Sequence, residues 1–315
     1  LIAQCSDNDT VIAAPGIYDQ GSALQAAGTG MEANPYIRAR VVITNNITLR
    51  SRDGAAVTFI KGESDTSEGN VQGCGSNAMR CVYMRNTGTL QGFTLFNGRT
   101  GSDNVEDCNN RGGGLYSIAD VYAARVTDCV LSNNISVRGG GAHSGTFENC
   151  LFTDNLAFNN SSALRNGIAR QCYFTRNLGN QVIGFPNLIV NCTVAYNTAQ
   201  VAFWGGSVPT PYRVHNTLFD SPKVDGVILY SCAYLPSCQL NNSPSTNAYI
   251  GNLLLDANGV PTYGSVAVDN ANTNLYVDYK TTDLAGNQRI YNAKLDIGCY
   301  ECDWRPRYAA ALDSQ

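Results

Sequence analysis

The sequence DCVLSNN at residues 128–134 is followed by three variants of itself, NCLFTDN at 149–155, QCYFTRN at 171–177 and NCTVAYN at 191–197. Each variant places a polar residue before a Cys and an Asn five positions after that Cys. The four cysteines are separated by 21, 22 and 20 residues. A fixed period in this range indicates a repeat protein, in which each unit packs on the units before and after it.

The alternation within each variant indicates a β-strand. Cys150 and Phe152 fall on one side of an extended chain, whereas Leu151 falls on the other. The Asn that ends each variant and the Gly triplets at 112–114 and 139–141 are typical of turns. Short strands and turns that recur with this period describe the coils of a parallel β-helix, stacked about 4.8 Å apart.

Equivalent residues of successive coils form ladders along the axis of a β-helix. We expect an inward ladder of thiols, formed by Cys129, Cys150, Cys172 and Cys192. We also expect a ladder of turn asparagines that share side-chain hydrogen bonds, formed by Asn97, Asn134, Asn155, Asn177 and Asn197. The thiols are interpreted as core residues, because Cys is often buried and the repeats lack the CxxC pairs of zinc sites.

The composition argues against several classes of partner. Only 15% of the 315 residues are charged, the net charge is −4, and no basic run occurs, so nucleic acid is not expected to bind. No apolar run reaches the length of a membrane span. His143 and His215 are isolated and no DxDxDG calcium loop occurs, so we predict neither a metal site nor a cofactor.

Eight of the twelve cysteines lie outside the thiol ladder, in segments rich in Gly, Asn and Ser where disulfides staple loops. Cys74 with Cys81, and Cys232 with Cys238, are close enough in sequence to pair, although spacing alone does not decide connectivity. We therefore predict a loop-rich, disulfide-stapled C-terminal part. These cysteines also favour an oxidising environment outside the cytoplasm.

One solenoid domain is expected over residues 1–302, because a repeat protein grows without a central core. Its predicted parts are regular repeats at 81–220, irregular coils at 221–264 and a closing unit at 265–302, followed by a tail or linker at 303–315. The first residues look like the end of an amphipathic helix, so we expect a processed chain or a piece of a longer protein.

Two groups of motifs resemble known families. GGGLY at 112–116 and GGGAH at 139–143, together with FTDN at 152–155 and FTRN at 174–177, resemble the GGA and FxxN repeats of polymorphic outer-membrane proteins. These repeats imply a β-helix on a bacterial surface.

The two ends of the chain resemble a narrower family. DTVIAAPGIY at 9–18, DLAGNQR at 283–289 and LDIGCYE at 295–301 are similar to the first coil and the ending of bacterial choice-of-anchor Q proteins. This resemblance implies an all-β fold, a right-handed parallel β-helix of roughly nine to eleven coils for a chain of this length, and a secreted or cell-surface location. It supplies no catalytic residues, and a fold alone does not give a function.

A glycan-binding face is the first candidate site. We expect aromatic residues of neighbouring coils to lie in a row there and to stack on sugar rings: Tyr173, Tyr196, Phe203, Trp204 and Tyr212. Ordinary packing beneath loops is the alternative, because Trp and Tyr are often partly buried. Arg111 and Arg138 each precede a Gly triplet, and a stacked anion site or a solvated face are both consistent with them.

A polysaccharide-cleaving site is the second candidate. Glycosidases need clustered carboxylates, and lyases need a base near a neutralised uronate. The outward column beside the thiols contains one carboxylate and one imidazole, several coils apart: Gln91, Asp128, Asn149, Gln171, Asn191 and His215. Asp154 and Arg176 are interpreted as an exposed ion pair.

The sequence therefore favours a non-enzymatic structural or adhesive protein outside the cell, with glycan binding as a candidate property. Self-association is a further candidate, because a β-helix ends in unpaired strand edges. A polysaccharide lyase or glycoside hydrolase is the alternative, and it requires clustered acids, or a base beside acids, in a groove bordered by the loops at 63–79 and 99–111. A passenger domain of a larger surface protein is the third interpretation.

Overall fold

The computed structural model describes ten stretches of the chain. They are residues 2–26, 36–67, 69, 71–85, 87–101, 108–118, 124–206, 212–275, 281–290 and 293–302. The predicted tail at 303–315 lies outside them.

Three ten-stranded sheets run along the molecule, and successive coils contribute strands in the order A, B, C, except that the first coil adds two strands to sheet C and the last described coil adds none. Sheet A consists of Thr10–Ala13, Thr48–Ser51, Thr89–Gln91, Arg125–Thr127, Thr146–Glu148, Ile168–Arg170, Leu188–Val190, Arg213–His215, Ile228–Tyr230 and Ser245–Thr246. Sheet B consists of Gly16–Tyr18, Thr58–Lys61, Thr94–Phe96, Val130–Ser132, Leu151–Thr153, Tyr173–Thr175, Thr193–Val194, Leu218–Phe219, Ala233–Tyr234 and Tyr249–Ile250. Sheet C consists of Ala23–Ala26, Tyr36–Ile43, Arg80–Met84, Leu115–Ser117, Ala142–His143, Ser161–Arg165, Gln181–Gly184, Val201–Trp204, Lys223–Asp225 and Gln239–Asn241.

The remaining elements are short. Ile135–Ser136 pairs with Leu156–Ala157 in a two-stranded sheet between sheets B and C. Turns of 3₁₀ type lie at Ile2–Gln4, Val71–Gly73, Cys108–Asn110 and Thr273–Leu275. In the part of the chain that the structure describes, no helix is long and apolar enough to cross a membrane.

The predicted fold class is confirmed: the chain is a right-handed parallel β-helix, and ten strands in each sheet fall within the predicted number of coils. The strands within each sheet pair in parallel, except that Ala23–Ala26 runs antiparallel to Tyr36–Ile43 at the N-terminal end of sheet C.

A single left-handed residue makes the turn from sheet A to sheet B. Asp128, Asn149, Gln171 and Asn191 occupy this position with φ between 51° and 55°. Asp and Asn tolerate this left-handed conformation better than branched apolar residues do, because their short polar side chains can form local hydrogen bonds. The turn therefore explains the polar residue before each repeated Cys, which itself points into the solenoid.

The thiol ladder fills the interior next to this turn. Cys129, Cys150, Cys172 and Cys192 are at most 1% exposed, and burial raises the thiol pKa of the first three well above its usual value. The backbone N–H of Cys150 donates to Cys172 Sγ across 3.4 Å, and that of Cys172 donates to Cys192 Sγ across 3.4 Å.

The asparagine ladder is buried one turn further along each coil. Asn134 Nδ2 donates to Asn155 Oδ1, and Asn155 Nδ2 donates to Asn177 Oδ1, across 3.0 Å in both cases. The predicted member Asn97 is wrong by one position, because Phe96 pairs with Ser132 and therefore places Asn97 beside Asn133. The ladder instead ends on a backbone group, since the N–H of Gly98 donates to Asn134 Oδ1 across 2.8 Å.

The Gly triplets lie where neighbouring backbones come too close for side chains. A Cβ added to Gly113 would lie 2.6 Å from the carbonyl oxygen of Ile135, and one added to Gly140 would collide with that of Leu156. These glycines are therefore needed for close packing against the two-stranded sheet, in addition to the turn at Gly112, where φ is 63°.

The disulfide prediction is not supported, because Cys74, Cys81, Cys232 and Cys238 are all free and none lies at disulfide distance from another cysteine of the described residues. Cys81 and Cys232 point into the solenoid, where their thiols approach the carbonyl oxygens of Phe96 at 3.2 Å and Val214 at 3.3 Å. Burial raises the pKa of both thiols to about 12. These cysteines therefore pack as small core residues and do not bridge loops.

The region predicted to be irregular keeps its coils. Strands continue through Tyr249–Ile250, so the loss of the sequence period after residue 220 reflects shorter turns between regular strands.

Residues 251–275, 281–290 and 293–302, here called the C-terminal segment, run back along the outer face of sheet B. Ile297 packs against Leu218, while Cys299 packs against Tyr173 and its N–H donates to Thr193 Oγ1 across 3.1 Å. The segment therefore covers the side of the solenoid.

An ion pair and hydrogen bonds between the two C-terminal sequence motifs stabilise this segment. Arg289, which is fully buried, pairs with Glu301 across 2.9 Å. Asp283 accepts the N–H groups of Asn287 at 2.7 Å and Glu301 at 2.9 Å. The motifs at 283–289 and 295–301 therefore form a polar clamp with a structural role.

Candidate functional site

A polar groove lies on the outer face of sheet A and has a volume of about 330 Å³. It is called the sheet A groove below. Ten residues of five successive coils line it: Thr48, Thr89, Gln91, Arg125, Thr127, Asp128, Glu148, Asn149, Arg170 and Gln171.

The strand register brings these side chains together. Thr48 pairs with Thr89, which pairs with Arg125, and Thr127 pairs with Glu148, which pairs with Arg170. All of them occupy outward positions, which alternate with interior residues such as Val126. Residues distant in sequence therefore form continuous rows, with about 4.8 Å between neighbouring coils.

Glu148 forms the centre of the charged part of the groove. Arg125 Nε donates to Glu148 Oε2 across 2.9 Å, and Arg170 Nη1 donates to Glu148 Oε1 across 3.0 Å. The side chain of Glu148 is only 8% exposed, whereas that of Arg125 is 57% exposed. The guanidinium of Arg125 is therefore held at one end and accessible to a ligand.

A row of amides and one carboxylate forms the rim beside sheet B. Asp128 accepts hydrogen bonds from Asn149 Nδ2 at 2.7 Å and from Gln91 Nε2 at 3.1 Å. Gln171 Nε2 donates to Asn149 Oδ1 at 3.2 Å and to the carbonyl oxygen of Thr282 at 2.8 Å. The C-terminal segment therefore fixes one end of this rim.

The chemistry of the groove is that of a hydrogen-bonding surface. Each carboxylate accepts hydrogen bonds from two side chains of the groove. None of the ten lining residues is a histidine or a lysine. Hydroxyls, amides and paired charges in this density suit the recognition of sugar hydroxyls.

The structure assembles part of the predicted outward column. Gln91, Asp128, Asn149 and Gln171 line the groove, and Asn191 lies one coil further along. The prediction of one column is wrong for Gln91 and His215, because Gln91 pairs with Thr127 and His215 pairs with Val190 in the neighbouring column. His215 packs edge-to-face on Tyr230 with ring centroids 5.0 Å apart, and burial with nearby Arg213 lowers its pKa.

Sequence reasoning missed the charged residues Arg125, Glu148 and Arg170. A signal for two of them existed, because Glu148 and Arg170 directly follow the apolar residues Phe147 and Ala169, and alternation within the strand then places these two charged side chains outward.

The predicted aromatic row does not exist, because its members lie on two faces. Tyr173 is 5% exposed beneath Tyr300, and burial raises its pKa to about 12. Tyr196 is 41% exposed, and its hydroxyl donates to the carbonyl oxygen of Asp256 across 2.7 Å. Phe203 is fully buried in the core. These three residues therefore pack the chain.

Trp204 and Tyr212 lie on the opposite side, around a residue that sequence reasoning missed. The ring of Phe185 is 4.7 Å from that of Trp204 and 6.1 Å from that of Tyr212, and the guanidinium of Arg165 lies 5.1 Å from it. Phe185 is left-handed, with φ of 50°, which costs about 1–2 kcal/mol for an L-residue. We call these three aromatic residues the aromatic triad.

Arg111 and Arg138 lie next to each other in neighbouring coils. Arg138 is only 6% exposed, so the alternative of a solvated face is wrong for it. With Arg80 and Arg165 they surround His143, which packs on Tyr116 with centroids 5.5 Å apart. Burial and these four cations lower the pKa of His143 well below its usual value. The cluster is part of the packed layer on sheet C.

Two further predictions concern charges and metals. Arg176 and Asp154 form an exposed ion pair across 2.9 Å, which lowers the pKa of the carboxyl. Over the described residues, no three His, Cys, Asp or Glu side chains are grouped so that they could hold a metal ion.

Comparisons with known proteins show the fold alone. Pectate lyase Pel9A is 10% identical to this chain with a TM-score of 0.52, and the match covers 96% of this chain and 90% of the other. Pectin methylesterase PemA from Erwinia chrysanthemi is also 10% identical, with a TM-score of 0.34 and coverage of 81% and 76%. No protein-family model and no curated protein sequence matches the chain.

Proposed function

We propose that this chain is a non-enzymatic glycan-binding β-helix that works outside the cell or on its surface. The observation that carries the proposal is the sheet A groove, with its exposed Arg125 and its row of amides and hydroxyls. The extracellular location rests on the resemblance to secreted and surface-attached β-helix proteins. The ligand would extend along the axis and meet equivalent polar groups in each coil.

The test is a binding assay on immobilised glycans with groove variants. Arg125→Ala removes an accessible cation but leaves Glu148 paired with Arg170, so the fold is expected to persist. Loss of a charged hydrogen-bond donor should weaken binding by roughly tenfold or more. Arg176→Ala is the matched control, because Arg176 is similarly exposed but lies outside the groove. Equal affinity of both variants would remove the groove from the proposal.

A polysaccharide lyase or glycoside hydrolase is the second candidate. It is favoured by Asp128 and Glu148, whose strands lie in adjacent coils of one groove beside Arg125. Reducing ends and unsaturated products should be measured on acidic and neutral polysaccharides with wild type, Glu148→Gln and Asp128→Asn. Turnover that either substitution abolishes would replace the binding proposal with catalysis, whereas binding without turnover supports the first.

The aromatic triad is a second proposed contact for sugar rings. A strained left-handed residue suggests a role beyond packing. Phe185 is left-handed, as is Tyr196, but the ring of Phe185 packs on Trp204 and Tyr212. Trp204→Ala, which changes a half-buried ring, should then reduce glycan binding independently of Arg125→Ala. Tyr173 and Tyr196 are expected to leave binding unchanged when replaced by Phe.

A further inference from the structure

A second polar cavity lies at the corner where three successive coils turn from sheet B to sheet C. It has a volume of about 640 Å³ and is called the corner pocket below. The segments that follow Gly16–Tyr18, Thr58–Lys61 and Thr94–Phe96 form most of its wall. Among the described residues, none lines both the corner pocket and the sheet A groove, so the two cavities are separate.

The guanidinium of Arg40 fixes the shape of this wall. The side chain of Arg40 is only 6% exposed. Its Nε donates to the carbonyl oxygen of Lys61 across 2.9 Å, and its Nη1 donates to the carbonyl oxygen of Gly21. Its Nη2 donates to Glu63 Oε2 across 3.0 Å. These bonds join the turns of two coils, so the pocket is formed before a ligand enters, as is usual for small-ligand sites.

The end of the second strand of sheet B brings a cation and a carboxylate into this pocket. Ile60 is 1% exposed in the core, so strand alternation directs Lys61 outward. Glu63 follows two positions later and lines the same cavity. Gly62 lies between them, and a Cβ added there would collide with Gly98 Cα of the next coil. The strand end therefore packs closely on that coil and presents both charged side chains to the cavity.

The charges of the corner pocket are unevenly paired. The side chain of Glu63 is 59% exposed and accepts from Arg40 through Oε2, which leaves Oε1 available to a ligand. Asp19 Oδ1 accepts from Gln20 Nε2 across 3.0 Å. The ammonium of Lys61 makes no hydrogen bond and no ion pair with any residue that the structure describes. The pocket therefore contains one cation without a counter-charge beside two carboxylates that each retain an acceptor oxygen.

These groups fit a ligand that combines one carboxylate with several hydroxyls. Lys61 offers a charged donor to the carboxylate, and the hydroxyls of Ser22, Ser64 and Thr66 line the same cavity. A neutral sugar would displace water from the ammonium without replacing its bonds, which costs binding free energy. A phosphate dianion would meet the two carboxylates, and like charges across an interface repel. The volume falls within the range of about 300–1,000 Å³ that is typical of small-ligand sites.

We propose that the corner pocket binds a uronate residue of an acidic glycan, with Lys61 contacting its carboxylate. Asp19 and Glu63 accept hydrogen bonds from the hydroxyls of the sugar. This inference rests on the proposed glycan-binding function, and it adds a second site with a defined class of ligand. Because the corner pocket and the sheet A groove lie on different sides of the solenoid, each can be tested by its own variant.

The first test is calorimetry with a trisaccharide of glucuronic acid and with the methyl ester of the same trisaccharide. Wild type should bind the acid roughly tenfold or more tightly than the ester, because esterification removes the charge that Lys61 contacts. Raising the salt concentration should reduce this difference, since salt screens charges that are accessible to solvent. Equal affinity for the acid and the ester would overturn the proposal.

The second test assigns this preference to Lys61. Lys61→Met removes the charge from a side chain of similar length, so it should weaken binding of the acid by roughly tenfold or more and leave binding of the ester unchanged. Lys61→Arg keeps a cation and should retain the preference for the acid. Lys294→Met is the matched control, because the side chain of Lys294 is 60% exposed and lies outside the pocket. Thermal melts should show equal stability for wild type and Lys61→Met, because the ammonium bonds to none of the described residues.

A comparison with Arg125→Ala separates this proposal from the function of the sheet A groove. Wild-type affinity of Lys61→Met for the acid would overturn the corner pocket as a uronate site, and a loss with Arg125→Ala would then leave the groove function intact. A loss with Lys61→Met alone would support the corner pocket and remove the groove from the binding of this glycan.

Discussion

Asn155→Ala should destabilise this protein by about 3–5 kcal/mol, because Asn155 is fully buried and its side chain makes four hydrogen bonds. Its Oδ1 accepts from Asn134 N at 3.1 Å and Asn134 Nδ2 at 3.0 Å. Its Nδ2 donates to the carbonyl oxygen of Leu131 at 2.8 Å and to Asn177 Oδ1 at 3.0 Å. At about 1 kcal/mol each, these bonds sum to about 4 kcal/mol, with a further cost for buried groups left unpaired.

Urea unfolding followed by circular dichroism measures this loss. The midpoint should fall while the slope m stays constant, which shows that the folded and unfolded states keep their compactness. Asn258→Ala is the matched control, because Asn258 is exposed and substitutions at such sites change stability by about 0.5 kcal/mol or less. Asn155→Asp tests the donor role, since it keeps the acceptor but points a carboxylate at two oxygens. A loss below about 1 kcal/mol for Asn155→Ala at constant m would refute the ladder as a source of stability.

Three further predictions concern the interior. The thiol ladder of the native protein should resist alkylation, because burial disfavours the reactive thiolate; mass spectrometry should find these thiols modified only after unfolding, and modification in the native state would contradict their burial. The pKa of His143 lies well below the unfolded value of about 6.5, so the unfolding free energy should fall as the pH drops below that value, by up to about 1.4 kcal/mol per pH unit. His143→Gln should reduce this slope, and an unchanged slope would show that His143 does not contribute. Gly140→Ala should lower the melting temperature because its Cβ meets the carbonyl oxygen of Leu156, while Gly286→Ala shows the effect of a left-handed glycine with open space around it.

The sequence predicted the β-helix because the same residue types recur at the positions that each coil must place identically. Three kinds of residue recur in each coil. In one coil Asn149 turns the chain, Cys150 points inward, and Asn155 donates a hydrogen bond to the asparagine of the next coil. The same spacing rule wrongly placed Asn97 in the asparagine ladder. The ladder position is occupied by Gly98, and this difference of one residue is decided by the pairing of its strand with the neighbouring strand.

The sheet A groove was harder to predict, because its charged residues come from different repeats. Glu148 and Arg170 belong to successive coils, and their contact follows from the stacking of those coils. The disulfide prediction failed for a related reason: Cys232 looks like a loop cysteine in sequence, but it points into the core once the coils continue past residue 220.

Strand alternation and the backbone angles of neighbouring residues are local properties, so the coil, its interior ladders and its turns could be read from the order of the amino acids. The folded structure was needed to show which outward residues contact each other and which faces of the solenoid are covered by other segments. The C-terminal segment buries Tyr173 on sheet B, whereas sheet A keeps Arg125 exposed. An outward side chain is buried or exposed according to what packs over it from a remote part of the chain, and a local pattern contains no information on that packing.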